Sequence, residues 1–176
     1  IAELEVQLES ESQGDGALRS IDEVLRQCGE PDVLRARDAL AIGVAMRPSL
    51  RVLRSAWDSA DAMKDFRHGR KLLDLLLRLG GEYIDLLRGG KPDAQARLVF
   101  AQDVYKANES EGVKNCEDCV RQRTFEVDGR QVYMDRHLGI GNSPDRRDTL
   151  RVYFEVIDGE VVIGHCGEHL ASTKKV

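Results

Sequence analysis

Apolar residues recur at helical spacing through the first two thirds of this chain and at every second position through the last third. Residues 1–16 carry a short apolar spacing at Leu4 and Leu8 and then turn acidic and Gly-rich, which predicts a helix end or strand and a linker. Ser20 and Glu23 form a capping box for a helix with Ile21, Val24, Leu25 and Cys28 on one face, stopped by Gly29 and Pro31. Asp32 is placed to cap a second helix carrying Val33, Leu34, Leu40 and Val44, which Pro48 ends. Ser49 is placed to cap a third, with Leu50, Leu53, Trp57, Ala60 and Met63 aligned. Residues 1–66 therefore read as a helical N-terminal region whose pattern speaks of packing, not chemistry.

The strongest helix follows Gly69. Leu72, Leu75, Leu76, Leu79, Tyr83, Leu86 and Leu87 make a wide apolar stripe. Gly80 and Gly81 interrupt it at a cost of about 1 kcal/mol each relative to Ala, so they predict a kink or a close packing contact. Gly89 and Gly90 end this helix, and Pro92–Asp93 start another that runs to about Asn108.

After Gly112 the period becomes two. Asp128–Gly129 and Asp158–Gly159 each sit between alternating strands and predict two tight β-hairpins. A two-residue turn fixes register, so the faces can be assigned. In the first hairpin Phe125, Val127, Val132 and Met134 share one side, and Gln122, Thr124, Tyr133, Asp135 and His137 the other. In the second, Val152, Phe154, Val156, Val161 and Ile163 are apolar partners, with Arg151, Tyr153, Glu155, Val162 and Cys166 opposite. Strict pairing sets His165 against Val152 on the apolar face, whereas a bulge near Gly164 turns it outward. The fold class that follows is α+β: the helical N-terminal region, then residues 70–176 as two helices packed on a small antiparallel sheet of two hairpins. With both hairpins in that sheet, its open face collects Tyr133, His137, Arg151 and Tyr153.

The 176 residues are 41% hydrophobic and 32% charged, a composition that supports a packed core. Net charge is −5, so the basic surplus of a general nucleic-acid binder is missing and only a local patch is left to fill that role. No apolar run approaches the roughly 18 residues that span a bilayer, and no signal peptide is visible. A first residue that is Ile suggests a processed product or part of a longer protein. Four Cys without a secretory segment read as reduced thiols of a cytoplasmic protein.

Candidate chemistry concentrates near the C-terminus, in His165, Cys166, Glu168 and His169 and in the polar sheet face. A His on that face suits removal of a proton from a 2′-hydroxyl, and an Arg suits stabilisation of a phosphorane. A metal alternative uses Cys116 and Cys119 (a CxxC pair) with Cys166 and His169, four ligands that zinc would accept.

The run LRVYFEV–IDG–EVVIGHCGEHLASTKK, preceded by two helices, resembles the penultimate hairpin and tail of the RelE/ParE superfamily of toxin-like proteins, over roughly residues 70–176. The resemblance implies a metal-independent endoribonuclease or RNA-binding domain, with Arg151 on phosphate and His165 or His169 near the scissile bond. It adds His137 as a further acid or base, and on the open sheet face Tyr153 would position the substrate. The acidic charge departs from that family, whose members are basic. Residues from Glu109 to Leu170 also resemble an uncharacterised bacterial C-terminal module. A second reading is therefore an interaction or regulatory module of a larger bacterial protein, whose sheet face meets a protein partner; a third is a structural zinc domain.

Overall fold

The computed structural model describes residues 34–172. The capping box at Ser20 and Glu23, the helix through Cys28 and the linker before them lie outside the described residues. From Leu34 onward the chain forms one compact unit.

Helix α1 (Ala36–Met46) leads to a three-residue strand, β1 (Leu50–Val52), and helix α2 (Arg54–Ala62) follows. Ser49 does not cap a helix, as its position suggested. Its carbonyl accepts from Val161 N (2.9 Å) and starts a parallel pairing of β1 with the last strand, Leu50 facing Val161 and Val52 facing Ile163. Its hydroxyl donates to the carbonyl of Gly80 at 2.5 Å. Residues on both sides of positions 66–70 therefore share one sheet.

Helix α3 (Gly69–Arg78) passes through a π turn at Leu79–Tyr83 into α4 (Ile84–Arg88), and Gly81 departs from helical geometry at φ −120°, ψ −106°. The Gly pair thus gives both a kink and a close contact. A Cβ at position 80 would lie 2.6 Å from Leu50 Cγ and 2.8 Å from Arg47 Cβ. The bend frees a backbone carbonyl, which Ser49 satisfies.

The helix predicted from Pro92 to Asn108 stops early. Only α5 (Asp93–Ala96) and a single 3-10 turn (Arg97–Val99) form, and β2 (Tyr105–Lys106) follows. Aromatic burial outweighs helix continuation here. Phe100 and Tyr105 stack with ring centroids 5.7 Å apart and close over Tyr83 and Phe154. Tyr83 and Tyr105 both donate to Asp93 Oδ1, at 2.8 and 2.7 Å.

Helices α6 (Glu111–Lys114) and α7 (Glu117–Gln122) precede β3 (Thr124–Val127), β4 (Arg130–Tyr133), β5 (Arg136–Ile140), β6 (Leu150–Ile157) and β7 (Glu160–Gly167). Asp128 and Asp158 take positive φ (51° and 50°), followed by Gly129 and Gly159 at 77° and 76°, as two-residue hairpin turns demand. The two hairpins belong to different sheets, contrary to expectation. β3 and β4 pair alone, whereas the main sheet runs β1-β7-β6-β5-β2. One face of the main sheet buries Leu138, Val152, Phe154, Ile163 and Leu50, with Tyr83 meeting Phe154 from the helical side. On the other face the β3–β4 hairpin covers Tyr153 and Val162 with Val127 and Met134, a second small core. Arg51 clamps that hairpin to the sheet through both oxygens of Asp128 (2.8 and 2.5 Å).

β1 is too short to cover the length of β7. Beyond it α2 closes the edge: Ser55 Oγ donates to Gly164 O (2.7 Å) and Ser59 Oγ accepts from Cys166 N (2.9 Å). Among the described residues no helix is long and apolar enough to cross a membrane.

Candidate functional site

Register places a row of polar side chains across four strands. Lys106 on β2 faces His137 on β5, His137 faces Tyr153 on β6, and Tyr153 faces His165 on β7. The next row along the same face is Gly139, Arg151 and Gly167. His165 joins this row because the β6–β7 ladder slips between Tyr153 and Phe154, leaving Gly164 as the extra residue. Only glycine fits there, since a Cβ would approach Phe125 Cδ2 to 2.5 Å and Met134 Sδ to 2.7 Å.

The covering hairpin divides the row. Tyr153 is fully buried beneath it. His137 and Arg151 emerge beside it in a cleft of about 410 Å³, where Lys71, Lys106, Asp103, Asn142 and His169 complete the wall. Three Lys or Arg residues face one Asp there, a local positive balance on a chain of net charge −5. The guanidinium of Arg151 is pinned: Nη1 donates to the carbonyls of Leu150, Ile140 and Gly141 (2.9–3.1 Å) and Nη2 to Asn142 Oδ1 (3.3 Å). That leaves the Nε hydrogen and one Nη2 hydrogen for an anion. Burial pushes its pKa down, yet an Arg remains charged at any working pH.

Behind His137 lies a buried polar network. Glu109 Oε1 accepts from Tyr153 Oη (2.7 Å) and Arg123 Nε (2.7 Å), and it stands 4.0 Å from His137 Nδ1. Arg123 is fully buried, with Nη1 on the carbonyls of Cys119 and Ala171 (3.0 Å each) and Nη2 on Tyr153 Oη (3.2 Å). Burial raises the Glu109 pKa, but the hydrogen bonds from Tyr153 and Arg123 outweigh it and keep the carboxylate ionised. The His137 ring stacks on Tyr153 at 4.8 Å, and its Nδ1 meets the Asp135 carbonyl at 3.3 Å. A carbonyl partner requires the proton on Nδ1, which leaves the Nε2 lone pair free. Burial lowers the pKa of this imidazole against the pull of Glu109, so the ring is neutral near pH 7.

Of the five residues assigned from sequence, the structure brings three together: His137, Arg151 and His169. The exposed His169 turns Nδ1 to the Leu170 carbonyl at 2.6 Å. Tyr153 is sealed in the network and touches no solvent, so it is not the substrate-positioning group expected. His165 is held by the Glu168 carbonyl at 2.8 Å, and burial, with Arg123 and His169 nearby, pushes its pKa down to about 4. Tyr133 lies on the separate β3–β4 sheet and not on the main sheet face.

The four proposed zinc ligands do not converge. Cys116 and Cys119 are joined as a disulfide, contrary to the reduced state expected of them. Cys166 shares the opposite sheet face with Val152, fully buried, its thiol pushed up to about 12 by burial. Among the described residues no three His, Cys, Asp or Glu side chains are grouped to hold a metal ion.

Sequence reasoning gave no role to Glu109, Arg123, Lys71 or Lys106, although Glu109 and Arg123 fall in the stretch that resembles the bacterial C-terminal module. Lys106 had no signal, because β2 was read as helix. Arg123 had a faint one: it follows α7 directly and sits one residue before a strand, where a long side chain must turn into the protein or into solvent. No protein-family model, no curated protein and no solved structure matches this chain.

Proposed function

We propose that this chain binds single-stranded RNA in the cleft between β5, β6 and the C-terminal segment, and cleaves it without a metal ion. The observation that carries the reading is the meeting of a neutral imidazole, His137, with a pinned guanidinium, Arg151, in a cleft that also holds Lys71, Lys106 and His169. The ammonium and guanidinium groups suit a phosphodiester, and the imidazole suits its neighbouring hydroxyl.

In this reading His137 Nε2 takes the proton of a ribose 2′-hydroxyl while the 2′-oxygen attacks the adjacent phosphorus. Arg151 donates to the non-bridging oxygens as charge gathers there. The bond from phosphorus to the 5′-oxygen breaks, and that oxygen takes a proton from the His169 imidazolium. The products are a 2′,3′-cyclic phosphate and a 5′-hydroxyl, and the proton gained by His137 balances the one lost by His169. Tyr153 and His165 serve beneath the surface, as packing and hydrogen-bonding supports.

The resemblance of residues 70–176 to RelE/ParE toxin-like proteins agrees with this reading, as an expectation from sequence. The overall acidic charge restricts it to a local, cleft-bound contact of few phosphates. The test is equilibrium binding of a labelled single-stranded RNA against salt concentration. Lys71→Glu and Lys106→Glu are expected to weaken binding and flatten the salt slope, whereas Arg88→Glu, a substitution outside the cleft, leaves both unchanged. Equal loss in all three variants, or no saturable binding, overturns the reading.

A further inference from the structure

We propose that Glu109 is the positioning residue of His137: its carboxylate stands behind the ring, whose Nδ1 proton the Asp135 carbonyl holds, and balances the charge the ring acquires when Nε2 takes up a proton. This rests on the cleft being the RNA-cleaving site described above. The geometry is specific to Glu109. Its Oε1 lies 4.0 Å from His137 Nδ1, and the same oxygen is fixed by Tyr153 Oη and Arg123 Nε, each at 2.7 Å. The carboxylate is therefore held immobile behind the ring, on the side away from the cleft.

The other groups that face this ring carry the opposite sign or none. Lys71 reaches the cleft from α3, Lys106 stands beside His137 on β2, Arg151 and Tyr153 approach from β6, and His169 comes from the C-terminal segment. Asp103, on the outer wall, is the other anion of the cleft. Without Glu109 the ring would face mainly cations and a phenol, an environment hostile to an imidazolium. Arg123 does not cancel the effect, since it lies beyond Glu109 and stacks on Tyr153, with Cζ 5.1 Å from that ring. Glu109 touches no substrate in this account, and its influence on the chemistry passes through His137.

The test is an NMR titration of the imidazole signals in the intact chain, without RNA, in wild type, Glu109→Gln and Tyr153→Phe. In the wild type the neutral His137 ring is expected to show the Nδ1–H tautomer, a measurement that needs no variant. Glu109→Gln is expected to lower the His137 pKa by about 0.5–1 unit, because an opposite charge that favours the protonated ring is removed. Tyr153→Phe keeps that charge and leaves the pKa in place. An Nε2–H tautomer in the wild type, an unchanged or raised pKa in Glu109→Gln, or an equal fall in Tyr153→Phe overturns the proposal. If the titration behaves as expected in a protein that cuts no RNA, the nuclease reading fails and the Glu109–His137 pair stands.

Discussion

Tyr153 on β6 lies opposite His165 on β7, one place away from the partner that the Asp158–Gly159 turn alone would dictate. Counting outward from that turn pairs Val156 with Val161 and Phe154 with Ile163, and the next alternate pair would be Val152 with His165. Gly164 interrupts the count. The slip moves His165 onto the face of His137 and Arg151 and sends Cys166 to the apolar side. It also lets the β3–β4 hairpin close directly on the β7 backbone, with Phe125 and Met134 against Gly164.

Gly164→Ala should therefore cost about 1–3 kcal/mol of unfolding free energy, since the methyl group has to displace Phe125 and Met134 from a filled space. Urea unfolding compares it with Gly129→Ala, where no atom lies within 4 Å and only the turn conformation is strained. Wild-type stability in Gly164→Ala would mean that the hairpin does not sit on the bulge.

Arg123 and Glu109 form a buried ion pair, so removing one partner should hurt more than removing both charges. Arg123→Met leaves a buried carboxylate with one neutral donor and is expected to destabilise by about 3–5 kcal/mol. The double variant Arg123→Met/Glu109→Gln should recover part of that loss in the same unfolding assay. An additive double variant would show that the pair is not coupled.

His165 gives the fold a pH dependence of definite sign. Burial holds the folded ring near pKa 4, below the ordinary value of 6.5, so between those limits the unfolded chain binds more protons. Its contribution is present above about pH 6.5, and stability falls as pH drops towards 4, by up to about 3 kcal/mol. His165→Gln should flatten the slope of Tm against pH in that window. A variant with the wild-type slope would place the proton uptake elsewhere.

Thiol chemistry separates the cysteines. In a Cys28→Ser background without reductant, the native protein should offer no fast-reacting thiol, because Cys116 and Cys119 are paired and Cys166 is buried. Unfolding should release one thiol, and reduction of the unfolded chain two more. Rapid labelling of the native protein would contradict this arrangement.

The sequence made the turns legible and the layering obscure. Asp–Gly pairs set both hairpins because few residues accept positive φ at two successive positions. Pairs such as Phe125–Val132 and Thr124–Tyr133 follow from the turn by counting. The association of the hairpins carries no such local mark, and that is why Tyr133 and Tyr153 were expected on one open face. The pattern predicts helix across β1 because Ser49 precedes Leu50, Leu53, Trp57, Ala60 and Met63 at helical spacing, whereas its strand character comes from parallel pairing with a segment about 110 positions away. Alternation set His137 and Arg151 on one face, and both line the cleft beside β5 and β6. Glu109 stayed hidden because its partners, Arg123 and Tyr153, are 14 and 44 residues distant and no periodicity links them.

The most direct test is cleavage of a labelled single-stranded RNA in EDTA by wild type, His137→Ala, Arg151→Ala and His169→Ala. The account predicts cleavage leaving a 2′,3′-cyclic phosphate, reduced about 10²–10⁴-fold in His137→Ala and strongly in the other two. RNA left intact by the wild type at high protein concentration, or cleaved equally by His137→Ala, would contradict it.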